Sequence, residues 1–192
     1  MVNSVGSFYD AAMSKAYSYC PCCATALVTQ TQAQTQADRV RTLCPACGWV
    51  HWNNPLPVVA AVLEFEGKVL LAQNAAWPGG MFGLITGFME SGETPEQAVA
   101  REVKEETNLD ANGCKLIGVY EFMRKNELII AYHVQATGEV RLSEELVDFR
   151  LLSPERARPW RSGTGLALAD WLKAKGIDFE WLEFPKVTTP AT

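Results

Sequence analysis

The stretch from Gly87 to Leu109 constrains this chain more than any other, because it writes a capped helix and a row of acids into 23 residues. Thr94 can cap a helix, Pro95 suits its first position, and Gln97 completes a capping box, so the pattern predicts a helix over 95–107. At about 100° per residue, Glu102 and Glu106 lie about 40° apart, with Glu105 about 60° to the other side. Three carboxylates therefore share one face, Arg101 stands one turn from Glu105, and Lys104 points roughly away from Glu102. Val99 and Val103 form the adjoining apolar stripe, which needs a core to cover it. Carboxylates this close repel unless a cation sits among them, and an oxygen-rich anionic cluster suits Mg²⁺ or Mn²⁺. Spacing alone leaves a merely acidic surface as the alternative.

The surroundings supply strands for that helix to pack on. Val58–Phe65 is apolar and β-branched, Glu66-Gly67 reads as a turn, and Lys68–Gln73 is a second apolar run, so the pair predicts a hairpin. Further strands are expected at Phe82–Phe88, Leu116–Met123, Leu128–Ala136 and Phe149–Leu152, with a closing helix at Gly165–Lys175. Mixed strands with two or three helices predict an α+β fold or a layered αβα core.

The front of the chain obeys a different chemistry. Five of the six cysteines (Cys20, Cys22, Cys23, Cys44 and Cys47) fall within the first quarter. Cys20-x-x-Cys23 and Cys44-x-x-Cys47 are two knuckles, and two such turns complete a tetrahedron of thiolates, the geometry of a closed structural Zn²⁺ site. Cys22 neighbours Cys23, and the two-residue gap favours Cys23 as the ligand with Cys22 a bystander. Residues 1–19 predict a short helix and the uncharged Thr/Gln run 29–36 a loop, with a solvated hairpin arm as the other reading. The turn-rich Asn53–Pro57 reads as a domain boundary. The expected organisation is an N-terminal segment (1–18), a small four-cysteine zinc ribbon (19–55), a main domain (56–184) and a loose tail (185–192).

Charge and apolar content remove several classes of function. Seventeen Lys and Arg against 22 Asp and Glu leave a net charge of −5, the wrong sign for steering nucleic acid. Only Arg39 and Arg41 lie between the knuckles, so a nucleic-acid role for the ribbon is not expected. Hydrophobic residues at 48% exclude wholesale disorder. The longest apolar runs, such as Val58–Leu63, fall far short of the roughly 20 residues that span a bilayer. Residues 1–10 show no basic region followed by an apolar stretch, which predicts a cytoplasmic protein with no membrane partner.

Residues 87–109 resemble the Nudix box, Gly-x5-Glu-x7-Arg-Glu-U-x-Glu-Glu-x-Gly-U with U a bulky aliphatic residue. Eight of the nine specified positions match: Gly87, Glu93, Arg101, Glu102, Val103, Glu105, Glu106 and Leu109. Asn108 replaces the last glycine, a position expected to be left-handed at the helix end, where Asn is the next-best residue. The resemblance implies an αβα sandwich, with the ribbon ahead of it. It also implies a hydrolase in which water attacks a phosphorus of a nucleoside diphosphate linked to another moiety, with Mg²⁺ or Mn²⁺ as cofactor. Glu102 and Glu106 would bind the cation, Glu105 would be a further ligand or help activate water, and the Gly87 carbonyl would reach the metal. Glu93 and Arg101 would hold the box together by pairing. The four-cysteine ribbon and Gly87-Phe88-Met89-Glu90 also resemble the NADH pyrophosphatase branch, over roughly residues 18–155. That branch adds a glutamate ligand beyond the box, which falls on Glu145, with Glu144 as the register alternative. It also carries a Ser-Gln-Pro-Trp-Pro-Phe-Pro-like motif, where this chain reads Tyr120-Glu121-Phe122-Met123-Arg124-Lys125-Asn126-Glu127, leaving the substrate among NADH, ADP-ribose, FAD and their kind unassigned. A homodimer is implied by the resemblance. The alternative function is a non-catalytic nucleotide sensor or a ribbon-based interaction module.

Several other residues have bland readings. His51 is expected in a turn rather than on zinc, and His133 packed or at an edge rather than catalytic. Trp77 either stacks a base or anchors a loop. Arg124 and Lys125 read as a solvated turn, and Cys114 as a small core residue.

Overall fold

The computed structural model describes residues 17–32, 39–77 and 79–183, and the chain divides into two compact units, Met1–Pro55 and Leu56–Thr192.

In the first unit, β1 (Val28–Gln32), β2 (Arg39–Leu43) and β3 (Val50–His51) form an antiparallel sheet, with Val28 opposite Leu43 and Leu43 opposite Val50. The Thr/Gln run expected as a loop thus contributes a hairpin arm through Gln32, and residues 33–36 lie outside the described residues. Residues 28–31 of that arm are exposed on both faces, so no alternation of apolar and polar residues announces it. The helix expected over 1–19 lies outside the described residues except for 17–19, where Tyr19 bridges Ala26. The tail from Phe184 is also outside them.

The second unit is built on a six-stranded mixed sheet. β4 (Leu56–Phe65) and β5 (Lys68–Asn74) form the expected hairpin. Glu66 and Gly67 both take positive φ, 51° and 70°, the pair of left-handed residues a tight hairpin turn demands. β6 (Ile85–Phe88) pairs antiparallel with the first half of β4, and β8 (Glu127–Thr137) runs parallel to β4 along its whole length. β7 (Asp110–Phe122) and β9 (Leu146–Leu152) close the edges, giving the order β7-β8-β4-β5-β9. β7 starts six residues earlier than Leu116. The added residues pass through Asn112-Gly113 by a bulge between Ala111 and Gly113 within an unbroken strand.

Period-two alternation along β4 sends its side chains to two cores. Val59, Ala61 and Leu63 meet Val99 and Val103 of α1 (Pro95–Thr107) on one face. Val58 and Ala60 meet Ala167, and Val62 meets Leu168 and Leu172, all of α2 (Thr164–Ala174), on the other. Both faces of a central strand being covered explains its unbroken apolar run. The result is an αβα sandwich. No helix among the described residues is long and apolar enough to cross a membrane.

Candidate active site and thiol cluster

The geometry of the glutamate face begins with the capping box. Thr94 Oγ1 accepts from the Gln97 amide at 3.3 Å, and Gln97 Oε1 accepts from the Thr94 amide at 2.8 Å. This sets the start of α1, and therefore which residues face outward one to three turns later. Asn108 ends the helix in the left-handed region (φ 63°), its amide bonded to the Lys104 carbonyl. Lys104 turns away to Asp110 at 2.8 Å and the Asn108 carbonyl, leaving the acidic face uncompensated on that side.

Arg101 is the hub that joins helix to loop. Its Nε and Nη2 donate to the two carboxylate oxygens of Glu93 at 3.0 and 2.8 Å, a bidentate pair. Nη1 donates to Glu102 at 2.7 Å and Glu105 at 3.1 Å, and Nη2 also reaches the Phe88 carbonyl. Glu93 additionally accepts from the Glu90 amide at 2.6 Å. Arg101, followed by that amide, holds the Glu93 carboxyl down to about 2. Glu93 in turn raises the Arg101 guanidinium further above its ordinary value.

Glu102, Glu105 and Glu106 line one cleft of about 290 Å³ together with Ser143, Glu144 and Glu145. Glu106 is 9% exposed, and among the described residues it makes no ion pair. Burial first, then the charges of Glu102, Glu145 and Glu105, push its carboxyl up to about 8. Glu102 is also raised, by burial above all, against the pull of Arg101. Gly87 in β6 lies directly against Glu102: a side-chain carbon at residue 87 would occupy the place of the Glu102 carboxylate. A cluster of oxygen donors that is partly buried and short of cations fits a hard divalent ion. Glu102, Glu106 and Glu145 could hold one. Glu105 is the more exposed, its carboxylate shared with Arg101.

Of the two register alternatives after the box, both Glu144 and Glu145 border the cleft. Ser143 is a member that sequence reasoning misses. Its sign in the sequence is weak: its hydroxyl accepts from the Glu145 amide, a local turn that halts the chain before β9.

In the first unit, one sulfur from each of Cys20, Cys23, Cys44 and Cys47 lies within 4.8 Å of all the others. Cys20 and Cys44 are buried, and Cys22 is exposed and outside the cluster. The two knuckles repeat one backbone device, the Ala24 amide returning to the Cys20 carbonyl and the Gly48 amide to the Cys44 carbonyl, with Ala24 and Gly48 both at positive φ. Four close cysteines that form no disulfide suit a tetrahedral metal site with four thiolate ligands. His51 is not in a turn. It lies in β3, stacked on Trp49 and edge-on to Tyr17, apart from the sulfurs.

The remaining singled-out residues fall outside both sites. His133 in β8 meets Glu64 at 2.7 Å and packs against Trp171 on the α2 side of the sheet. The Trp77 ring fills the space above Gly83, as a loop anchor does. Arg124 and Lys125 sit in an exposed 3-10 turn at the tip of the β7–β8 hairpin, and Cys114 packs against the α1-side core.

An αβα sandwich whose helix presents Glu102, Glu105 and Glu106 beside a glycine-backed loop defines a Nudix domain, and the chain belongs to the NUDIX domain family, whose sequence model matches residues 54–171. Among its relatives is the NAD-capped RNA hydrolase NudC of Vibrio atlanticus (strain LGP32), 30% identical over 126 residues that cover 66% of this chain and 45% of that one. NudC of Vibrio vulnificus (strain CMCP6) is 28% identical over 152 residues, covering 77% and 55%. The chain thus spans about half the length of the curated relatives it matches. In fold it is similar to a crystal structure of a NUDIX hydrolase from Nitrosomonas europaea, with a TM-score of 0.68 and 25% identity over 85% of this chain and 96% of that one.

Proposed function

We propose that the chain is a divalent-cation-dependent pyrophosphohydrolase that cleaves a nucleoside diphosphate linked to another moiety, of the NADH, ADP-ribose or FAD class. One observation carries this reading: Glu106, buried and with no ion pair among the described residues, lines a single open cleft with Glu102, Glu105 and Glu145. Such a group is costly to ionise unless something positive completes it. Glu102, Glu106 and Glu145, with the Gly87 carbonyl, would hold Mg²⁺ or Mn²⁺. When bound, the ion offsets diphosphate charge and lowers the pKa of a water. Arg101 keeps Glu102 and Glu105 oriented toward the cleft while Glu93 holds Arg101 in place. Glu105, on the open side, is positioned to take a proton from an attacking water.

The names of the NudC relatives support a dinucleotide-type pyrophosphate as the bond cleaved, and the −5 charge weighs against affinity for a long RNA tail. Cys20, Cys23, Cys44 and Cys47 would hold a structural Zn²⁺ in a ribbon over about residues 19–55, ahead of the hydrolase domain. Assembly as a homodimer and a cytoplasmic location complete the reading.

A panel of NADH, NAD, ADP-ribose, FAD, diadenosine polyphosphates, nucleoside triphosphates and NAD-capped RNA, each with Mg²⁺ or Mn²⁺, tests the activity. Release of a nucleoside monophosphate from a dinucleotide is expected, and no turnover of any compound overturns the enzyme reading. Glu106→Gln should lower turnover at least about a hundredfold with the fold retained. Metal analysis should find one zinc per chain.

A further inference from the structure

Asn108 stands where the box pattern has glycine, and the structure gives its side chain a task. The left-handed cap itself needs only a backbone: the residue 108 amide closes on the Lys104 carbonyl, and glycine would do this at least as well. The carboxamide does something else. Its Nδ2 donates to the carbonyl of Glu139, 31 residues away, at 3.0 Å.

From Glu139 the chain runs back along the end of α1. The Arg141 amide donates to the Thr107 carbonyl at 2.9 Å, and the Ser143 amide to the Glu106 carbonyl at 3.0 Å. Ser143 Oγ then accepts from the Glu145 amide, and the Glu145 carbonyl accepts from Ala75 at 2.8 Å. The residue whose carboxylate faces the cleft, Glu106, therefore also anchors, through its carbonyl, the segment that carries Glu145. Asn108 is the first bond of that lacing and the only one of the three across this junction made by a side chain.

We infer that Asn108 is a positioning residue for the divalent cation, tying the end of α1, with Glu102 and Glu106, to the 139–145 segment that delivers Glu145. This rests on the cation-site reading above. Two carboxylates on separate segments repel each other, so with the Asn108 bond gone the segment bearing Glu145, still held by its backbone bonds and by Ala75, settles farther from Glu106. A cation then has to pull it back at the expense of its own binding.

Titration of the protein with Mn²⁺, followed by electron paramagnetic resonance, tests the inference without any substrate. Asn108→Gly keeps the cap and suits the left-handed backbone, so its unfolding temperature without metal should hold or rise. Asn108→Asp tolerates the same backbone but replaces the donor with an acceptor. Both should bind Mn²⁺ about tenfold more weakly, the low end for losing an outer hydrogen bond at a metal site. Asn112→Ala removes a comparable exposed bond, to Thr137 Oγ1, outside the lacing and should leave Mn²⁺ affinity unchanged. The inference is overturned if Asn108→Gly binds Mn²⁺ within about twofold of the parent, or if Asn112→Ala weakens binding as much. Glu106→Gln separates the two levels. If it leaves Mn²⁺ binding intact, the cation site is misassigned and the inference falls with it. If it abolishes binding while Asn108→Gly does not weaken it, only the role of Asn108 fails.

Discussion

Gly87 and Glu102 share one volume: the space a side-chain carbon would take at residue 87 is filled by the Glu102 carboxylate. Gly87 lies in β6 with ordinary strand geometry, so its glycine serves close approach and not backbone freedom. The group in the way is the far end of a flexible side chain. Gly87→Ala should therefore change stability by less than about 1 kcal/mol while displacing the carboxylate. The expected loss is in divalent-ion affinity, about tenfold or more, read by Mn²⁺ titration beside a thermal melt. Unaltered Mn²⁺ affinity would mean that Glu102 is not a ligand.

The raised Glu106 carboxyl makes metal-free stability depend on pH in a definite direction. Folded, the group keeps its proton up to about 8, whereas its ordinary value is 4.5. Between those values the native state binds more protons than the unfolded chain, so this group's contribution to stability declines as pH rises through the window and levels off above it. A divalent ion at this site would bind the deprotonated cluster, so its affinity should climb over the same window and its uptake should release protons. Melting temperatures with and without Mg²⁺, taken from pH 5 to 9, should diverge with rising pH; parallel curves would remove Glu106 from the site.

Glu93 carries the opposite sign. Its carboxyl is held at about 2 by Arg101 and the Glu90 amide, below the ordinary 4.5. The stabilisation is complete above 4.5 and is lost as pH falls toward 2. Glu93→Gln should be less stable than the parent near neutrality, and the gap should close on acidification. Acid-titration melts of the two proteins check this. Because Arg101 would also be released from the loop, turnover should fall with the melting temperature.

In the first unit, Ala24 holds the left-handed position that Gly48 holds in the second knuckle. An L-residue pays about 1–2 kcal/mol there, part of which glycine returns as unfolded-state entropy. Ala24→Gly should strengthen the knuckle by about 0.5–1 kcal/mol and slow zinc loss to a chelator. Faster loss would show that the alanine methyl makes a contact worth more than the backbone strain.

The helix is legible to the residue because its signals are local. A capping box, a proline at the first position and an Asn at the end act within a turn of themselves, and they bound α1 at Pro95 and Thr107. The β4–β5 hairpin is equally plain, since Glu66-Gly67 and the flanking apolar runs sit side by side. β1 and the early half of β7 are not. β1 has no buried face over residues 28–31 to impose alternation, and β7 passes through Asn112-Gly113 by a bulge that only its pairing with β8 sustains. His51 reads as a turn residue because a two-residue strand is too short to show a period.

Sequence alone determined the chemistry: which residues are acids and thiols, their spacing, and the face of the helix on which three carboxylates stand. These follow from helix periodicity and short-range hydrogen bonding. Tertiary structure alone decided the rest. It brought Ser143 to that face from beyond two further strands and laid Gly87 against Glu102. It also turned Glu106 from an ordinary helical glutamate into a buried carboxyl held near 8. Those outcomes depend on burial and on charges distant in the chain, and no local pattern records them.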